Sequence, residues 1–271
     1  MGHLGVGSLA GQVADAAPNV RQYARVAESD DDRPLDLSSY HVLGEDAVPE
    51  IVTQVAGGRP VEFVWRSELG GLTFRVGDRF VKWYPRSSGI HLGRERDRLA
   101  WISKRHPAPR VIDYGSDELA RWLVTEALPG GHAVGDPWTS RRHEAIRAIA
   151  AGLRAIHRID VQDFPSEWTS ESWVSRTPSI LGTRPSLDDP VVVHGDACAP
   201  NTLISTSGAW TGNVDFGDLA IGDRWADLAV ASMSLDWNFG EGHHPEFFDC
   251  YGIEPDEQRI NYYRALWELE S

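Results

Sequence analysis

The feature that most constrains this chain is a pair of strand-like runs, each ending in an acidic loop. Val191-Val192-Val193 leads into His194-Gly195-Asp196, and Asn201 follows the Asp by five residues. Gly212-Asn213-Val214 leads into Asp215-Phe216-Gly217. Between the two, residues 202–205 and 210–214 read as strands around a turn. Either loop alone would be an ordinary turn or hairpin end. The 14-residue step from Asn201 to Asp215, with strand-like sequence between, makes them a set. An Asp can orient a hydroxyl and accept its proton. An amide oxygen and a carboxylate oxygen are hard donors suited to Mg²⁺.

Together the loops fit the template for phosphoryl transfer, with Asp196 as the catalytic-loop Asp and Asn201 and Asp215 as metal ligands. That template also asks for a Lys on the third strand of a preceding sheet, and a Glu on the next helix to hold it. Phe80-Val81-Lys82-Trp83 supplies the Lys, one of two lysines in a chain with 24 arginines. Glu95 is the only Glu in the expected helix 92–103, with Asp97 as a competing carboxylate. Position alone sets the backbone of Glu126 and Ala127 against a nucleotide base. His157 reads as a packing or capping residue and Cys198 as packing. Asp223 and Asp227 read as a helix cap and a brace for the loops.

The surrounding pattern is α+β. Residues 1–47 lack strong periodicity, are interrupted by Asp30-Asp31-Asp32-Arg33-Pro34, and are expected to form a loosely attached extension. From 48 to 127, strand-like runs at 61–65, 72–76, 79–83, 110–114 and 122–127 predict a five-stranded antiparallel sheet with one helix, a nucleotide-binding lobe. Pro129-Gly130-Gly131 is a hinge. From 128 to 271 the chain turns helical, with an amphipathic run at 140–159 and closing helices at 224–233, 245–251 and 255–269. This second lobe carries the catalytic loop and the acceptor site. The stretch 160–190 is mixed in pattern.

Charge narrows the partners. The net charge is −14. Residues 1–150 hold 19 basic and 20 acidic side chains, whereas 151–271 hold 7 and 20. So acidic a half repels nucleic acid and attracts a polycation. No apolar run approaches the roughly 18 residues of a membrane span. Residues 1–17 lack the Lys and Arg of a secretory signal. Cys198 and Cys250 allow one disulfide at most, and a reducing cytoplasm is the expected compartment. A monomer or weak dimer is expected.

The segments His194 to Asn201, Asp215 to Gly217, 222–229, and the tail from Tyr251-Gly252-Ile253-Glu254-Pro255 to Asn261-Tyr262-Tyr263-Arg264 resemble the aminoglycoside phosphotransferases, nearest the 3′-phosphotransferase branch. The resemblance runs from about Pro49 to the C-terminus. It implies a protein-kinase-like two-lobed fold, Mg-ATP as donor, and a hydroxyl of a cationic antibiotic as acceptor. It assigns catalysis to Asp196, Mg²⁺ to Asn201 and Asp215, ATP phosphates to Lys82, and support of that Lys to Glu95. Three departures bear on the acceptor: Asp218 where that branch usually has Arg, a short stretch between His157 and His194, and Trp267 in place of a tail acid. Glu268 matches a family acceptor position; Asp236, Glu241 and the Ser271 carboxylate are further acceptor candidates by charge and rough location, as are Glu167 and Glu171. A kinase for another small hydroxylated acceptor (another antibiotic, choline, a sugar or an amino alcohol) and a non-catalytic nucleotide-binding pseudokinase are the alternative readings.

Overall fold

The computed structural model describes residues 48–67, 69–187 and 189–270. The expected extension 1–47 and Ser271 lie outside the described residues.

The first lobe opens with helix α1 (Glu50–Ala56), followed by β1 (Glu62–Arg66), β2 (Leu72–Val76) and β3 (Arg79–Pro85). Helix α2 (Leu92–Ile102), β4 (Val111–Ser116) and β5 (Ala120–Glu126) complete it. The five strands form one antiparallel sheet in the order β1-β2-β3-β5-β4, as the alternation predicts. Val76 pairs with Arg79, so Gly77 and Asp78 make the tight turn, and Gly77 adopts a left-handed φ of 60°. The period of two then divides the sheet's faces. Phe74, Val81 and Val124 pack with Val52 and Ala56 of α1 in an outer core. Phe80, Lys82 and Leu123 face the other way, into a cleft.

The chain enters the second lobe through β6 (Gly131–His132), which pairs with β8 (Thr202–Ile204); β8 pairs in turn with β9 (Trp210–Asn213). Helix α3 (Arg142–Ile156) buries Ile146, Ile149, Leu153 and Ile156, spaced at three and four residues along one face. Helices α5 (Arg224–Phe239), α6 (His244–Tyr251) and α7 (Glu257–Glu270) close the lobe. One continuous core joins Leu99 and Ile102 of α2 and Leu123 of β5 to the helical lobe. Each fully buried Leu or Ile there stabilises the docked lobes by about 1.5–3 kcal/mol.

Several elements differ from expectation. Helix α4 (Ser166–Glu171) and the 3₁₀ turn Trp173–Ser175 organise part of the mixed stretch 160–190. Strand β10 (Ala220–Gly222) pairs antiparallel with β7 (Val191–Val193), and its Ala-Ile-Gly run carries a single β-branched residue against the three valines that mark β7. Helix α5 continues past 233 to Phe239, since no breaker intervenes before Gly240 ends it at φ 83°. Among the described residues no helix is long and apolar enough to cross a membrane.

Candidate active site

Strand β7 is fully buried and hydrogen-bonded to β10, so the loops that leave β7 and enter β10 begin side by side. Their contact is close. Gly195 sits at φ 82°, and a Cβ there would lie 2.2 Å from the Asp218 carbonyl oxygen. Only Gly fits that approach. His194 links the loops through its ring: Nδ1 accepts from the Asp196 N–H at 3.2 Å, and Nε2 donates to the Val214 carbonyl at 2.9 Å. Those partners require the neutral Nε2-protonated tautomer. The ring also stacks at 4.6 Å on Phe216, which is fully buried.

Asp227 of α5 fastens the same loop from below. Its carboxylate accepts from His194 N at 2.7 Å, Gly195 N at 2.9 Å and His157 Nε2 at 2.9 Å. Burial alone would raise its pKa, but the His157 hydrogen bond and charge, with the Gly195 amide hydrogen bond, hold it below the usual carboxylate range. His157 is held in turn by Tyr251 at 2.7 Å. Asp223 caps α5 by accepting from Trp225 N at 3.1 Å, and it also accepts from Arg259.

Asn201 lies at the end of the 3₁₀ turn Ala199–Asn201. Its amide nitrogen donates to the Asp196 carbonyl at 2.9 Å and carboxylate at 3.0 Å, so its amide oxygen is the atom left for a cation. Asp215 is the one non-Gly residue with positive φ, 65°, among the described residues. Asp tolerates this region better than most side chains, but holding it there requires support from the surrounding fold. Part of that support crosses the cleft: Lys82 Nζ donates to Asp215 Oδ1 at 3.2 Å and to both Glu95 oxygens at 2.8 and 2.9 Å. Burial works against the ammonium, yet the charges of Asp215 and Glu95 outweigh it and hold the Lys82 pKa well above its ordinary value. Burial raises the Glu95 carboxyl, which therefore depends on Lys82 to stay ionised.

These groups border a cleft of about 270 Å³ between the lobes, walled by Val64, Phe80, Leu99, Leu123, Leu128 and Leu203, with Lys82, Glu95, Asn201 and Asp215 at its polar end. Glu126 also borders it. At the hinge, where the backbone of Glu126 and Ala127 was expected to meet a base, two amides are already engaged. The Glu126 N–H bonds Arg110 O at 2.9 Å and the Ala127 N–H bonds Asp78 O at 2.9 Å, because both continue the sheet's pairing. Neither amide is available to a base. The Leu128 N–H has no such bond among the described residues and lies next in the chain. The Glu126 carboxylate is turned to Arg110 at 2.8 Å.

The acceptor candidates are not brought together in the same way. Asp236 accepts from His244 Nε2 at 2.9 Å in the joint between α5 and α6. Glu241 and Glu268 are exposed, and none of the three lines the cleft. Ser271 is outside the described residues. Glu171 bonds Arg98 at 3.2 Å. Cys198 and Cys250 are both free, so the possible disulfide is not formed. Burial, then the Asp196 charge, pushes the Cys198 thiol up, away from reactivity.

What the sequence reading missed is a bolster on the far side of the loops. Trp173 Nε1 donates to Gly195 O at 2.6 Å, Ser172 Oγ to Asp218 O at 3.2 Å, and Ile221 N to Thr169 Oγ1 at 3.1 Å. These contacts lie in a stretch without periodicity, and its Trp and Ser content was the only signal.

The sequence matches the phosphotransferase enzyme family over residues 52–182 and 178–265. An aminoglycoside 3′-phosphotransferase of Streptomyces fradiae is 32% identical over 223 residues, 68% of this chain and 82% of that relative. A streptomycin 3″-kinase of Streptomyces griseus is 29% identical over 246 residues, 75% of this chain and 89% of that relative. The crystal structure of an aminoglycoside-3′-phosphotransferase of type VIII superimposes with a TM-score of 0.64 at 27% identity, over 81% of this chain and 98% of that one.

Proposed function

The chain belongs to the phosphotransferase enzyme family, and from that premise we propose that it transfers the γ-phosphoryl group of ATP to a hydroxyl of an aminoglycoside antibiotic. The observation that carries this reading is the bridge Glu95–Lys82–Asp215 across the cleft, directly beside Asn201. It brings together the Lys, its Glu partner and the hard oxygen donors that the template for phosphoryl transfer asks for.

The base lies between the apolar walls of the cleft and reads the hinge through the Leu128 N–H. Lys82, pinned by Glu95, presents its ammonium to the α- and β-phosphates. Asn201 and Asp215 are two hard oxygen donors on the same rim and would hold Mg²⁺ there. When bound, Mg²⁺ neutralises charge on the β- and γ-phosphates. Asp196 accepts the proton of the acceptor hydroxyl as its oxygen bonds to the γ-phosphorus. The bond from that phosphorus to the β–γ bridging oxygen breaks, and ADP leaves with the electron pair. Asn201 and His194 fix Asp196 for this task through its carboxylate and its backbone.

The acceptor side draws on the charge of the second half. Glu268 and Glu241 are exposed carboxylates available to ammonium groups, whereas Asp236 is engaged by His244. An ATP donor sets the site of action in the cytoplasm. The test is acceptor-dependent ADP release with kanamycin, neomycin, streptomycin and hygromycin. Release with at least one of them, abolished in Asp196→Ala, is expected. A protein that binds Mg-ATP and turns over none of the four refutes the acceptor assignment.

A further inference from the structure

Arg98 lies one turn beyond Glu95 on α2, and its side chain is fully buried. A buried guanidinium needs partners, because burial works against its charge and lowers its pKa. Its partners come from two different places. Nε donates to the Leu219 carbonyl at 3.1 Å, four residues beyond Asp215. Nη2 donates to the Trp168 carbonyl at 3.3 Å and the Glu171 carboxylate at 3.2 Å, both in α4, and the guanidinium lies 5.5 Å over the Trp168 ring. Arg94, one turn earlier, reaches the Glu171 carbonyl at 3.1 Å.

Helix α2 is thus tied to the Asp215–Leu219 turn twice, through Glu95 and Lys82 at one end and through Arg98 at the other. The same Arg98 ties α2 to the bolster, which in turn grips the Asp218 and Gly195 carbonyls beside Asp196. We propose that Arg98 is a positioning residue that couples the bolster, residues 166–175, to the Lys82–Glu95 pair, so that nucleotide in the cleft orders the segment behind the catalytic loop. No residue of that segment lines the cleft, so any response there must travel through the protein. Three donors in a planar fork make this junction, and a Lys cannot reproduce it. The proposal rests on the nucleotide-site reading above and goes beyond it.

The test is hydrogen exchange on the full chain with and without Mg²⁺ and the non-hydrolysable analogue AMP-PNP. In the native protein the analogue is expected to slow exchange both in the cleft, at residues 80–82 and 128–132, and in the bolster, by about tenfold. In Arg98→Lys, protection of the cleft persists while protection of the bolster is lost, and kcat falls about tenfold. Glu171 is half-exposed, so Glu171→Ala removes one arm of the junction without opening a core cavity. It is expected to lose bolster protection with a melting temperature within about 2 °C of native. Should Arg98→Lys fail to fold, Glu171→Ala alone decides. Undiminished bolster protection in a folded variant, or none in the native protein, overturns the coupling. Absence of protection in the cleft itself overturns the nucleotide-site reading and the coupling with it.

Discussion

Replacing Asp227 by Asn keeps the shape of the side chain and removes an acceptor from a fully buried site with three donors. Oδ2 receives His194 N and His157 Nε2, and Oδ1 receives Gly195 N. In the Asp227→Asn protein the least damaging orientation points the new NH₂ group at the Gly195 N–H. One charge-assisted hydrogen bond is lost, about 1.5–3 kcal/mol, and the Gly195 donor is left buried without a partner, about 1–3 kcal/mol more. The other two bonds weaken as the charge disappears. Allowing for overlap between these terms, Asp227→Asn should destabilise the protein by about 3–5 kcal/mol, the scale seen when a buried ionic pair is broken. Urea denaturation at pH 7 should show a lower midpoint at unchanged slope, and the melting temperature should fall by about 10 °C. The pH dependence adds a second check. A carboxyl whose folded pKa is depressed contributes stability above the unfolded value of about 4, and loses it as pH falls through the lower folded value. The gap between native and variant should therefore close in acid. A loss below about 1 kcal/mol at pH 7, or a gap that persists unchanged in acid, would refute the assignment of Asp227 as an ionised anchor.

Asp196→Asn should lower kcat by about 10²–10⁴-fold while ATP affinity, followed by calorimetry, changes little. Lys82→Met should cut kcat/KM for ATP by about 10²–10³-fold in steady-state assays, because the phosphates lose their cation and buried Glu95 then takes up a proton. Asp215→Asn should raise the Mg²⁺ concentration for half-maximal turnover by about tenfold or more, and a chelator should abolish turnover of the native protein. His106 is buried against Asn213, and burial lowers its pKa from 6.5 to about 4. Its unfolded form takes up a proton near pH 6.5 and its folded form does not until about pH 4. Stability should fall by about 3 kcal/mol as pH drops through that window. His106→Gln should flatten the urea-derived stability profile there, and parallel profiles would exclude His106 as the cause.

The placement of Lys82, Asp196 and Asp215 was legible because it is set by local pattern. Lys82 lies between Val81 and Trp83 on an alternating strand, and alternation alone sends it to the face opposite the outer core. Asp196 follows a fully buried strand and Asp215 one whose last two residues are buried, and a loop that leaves a buried strand end has few directions to take. Position alone set the backbone of Glu126 and Ala127 at the hinge, and sequence does not say that their amides serve the pairing with Arg110 and Asp78. Arg98 was passed over because Arg is seldom fully buried. The signal was its place four residues before Ile102, on the apolar stripe of α2. Asp236 was chosen by charge, and charge does not say that His244 would claim it.

The sequence by itself determined the kinds of chemistry present and the order in which they come: a Lys on the third strand, an acid on the next helix, and two acidic loops at strand ends. Those follow from short-range pattern, where period and turn residues decide which face a side chain takes. Only the tertiary structure decided which of them meet. Lys82 and Asp215 are 133 residues apart, and Arg98 and Leu219 are 121 apart. Periodicity tells that a face is buried but not against what. That choice belongs to the core shared by the two lobes, which forms only when both have docked.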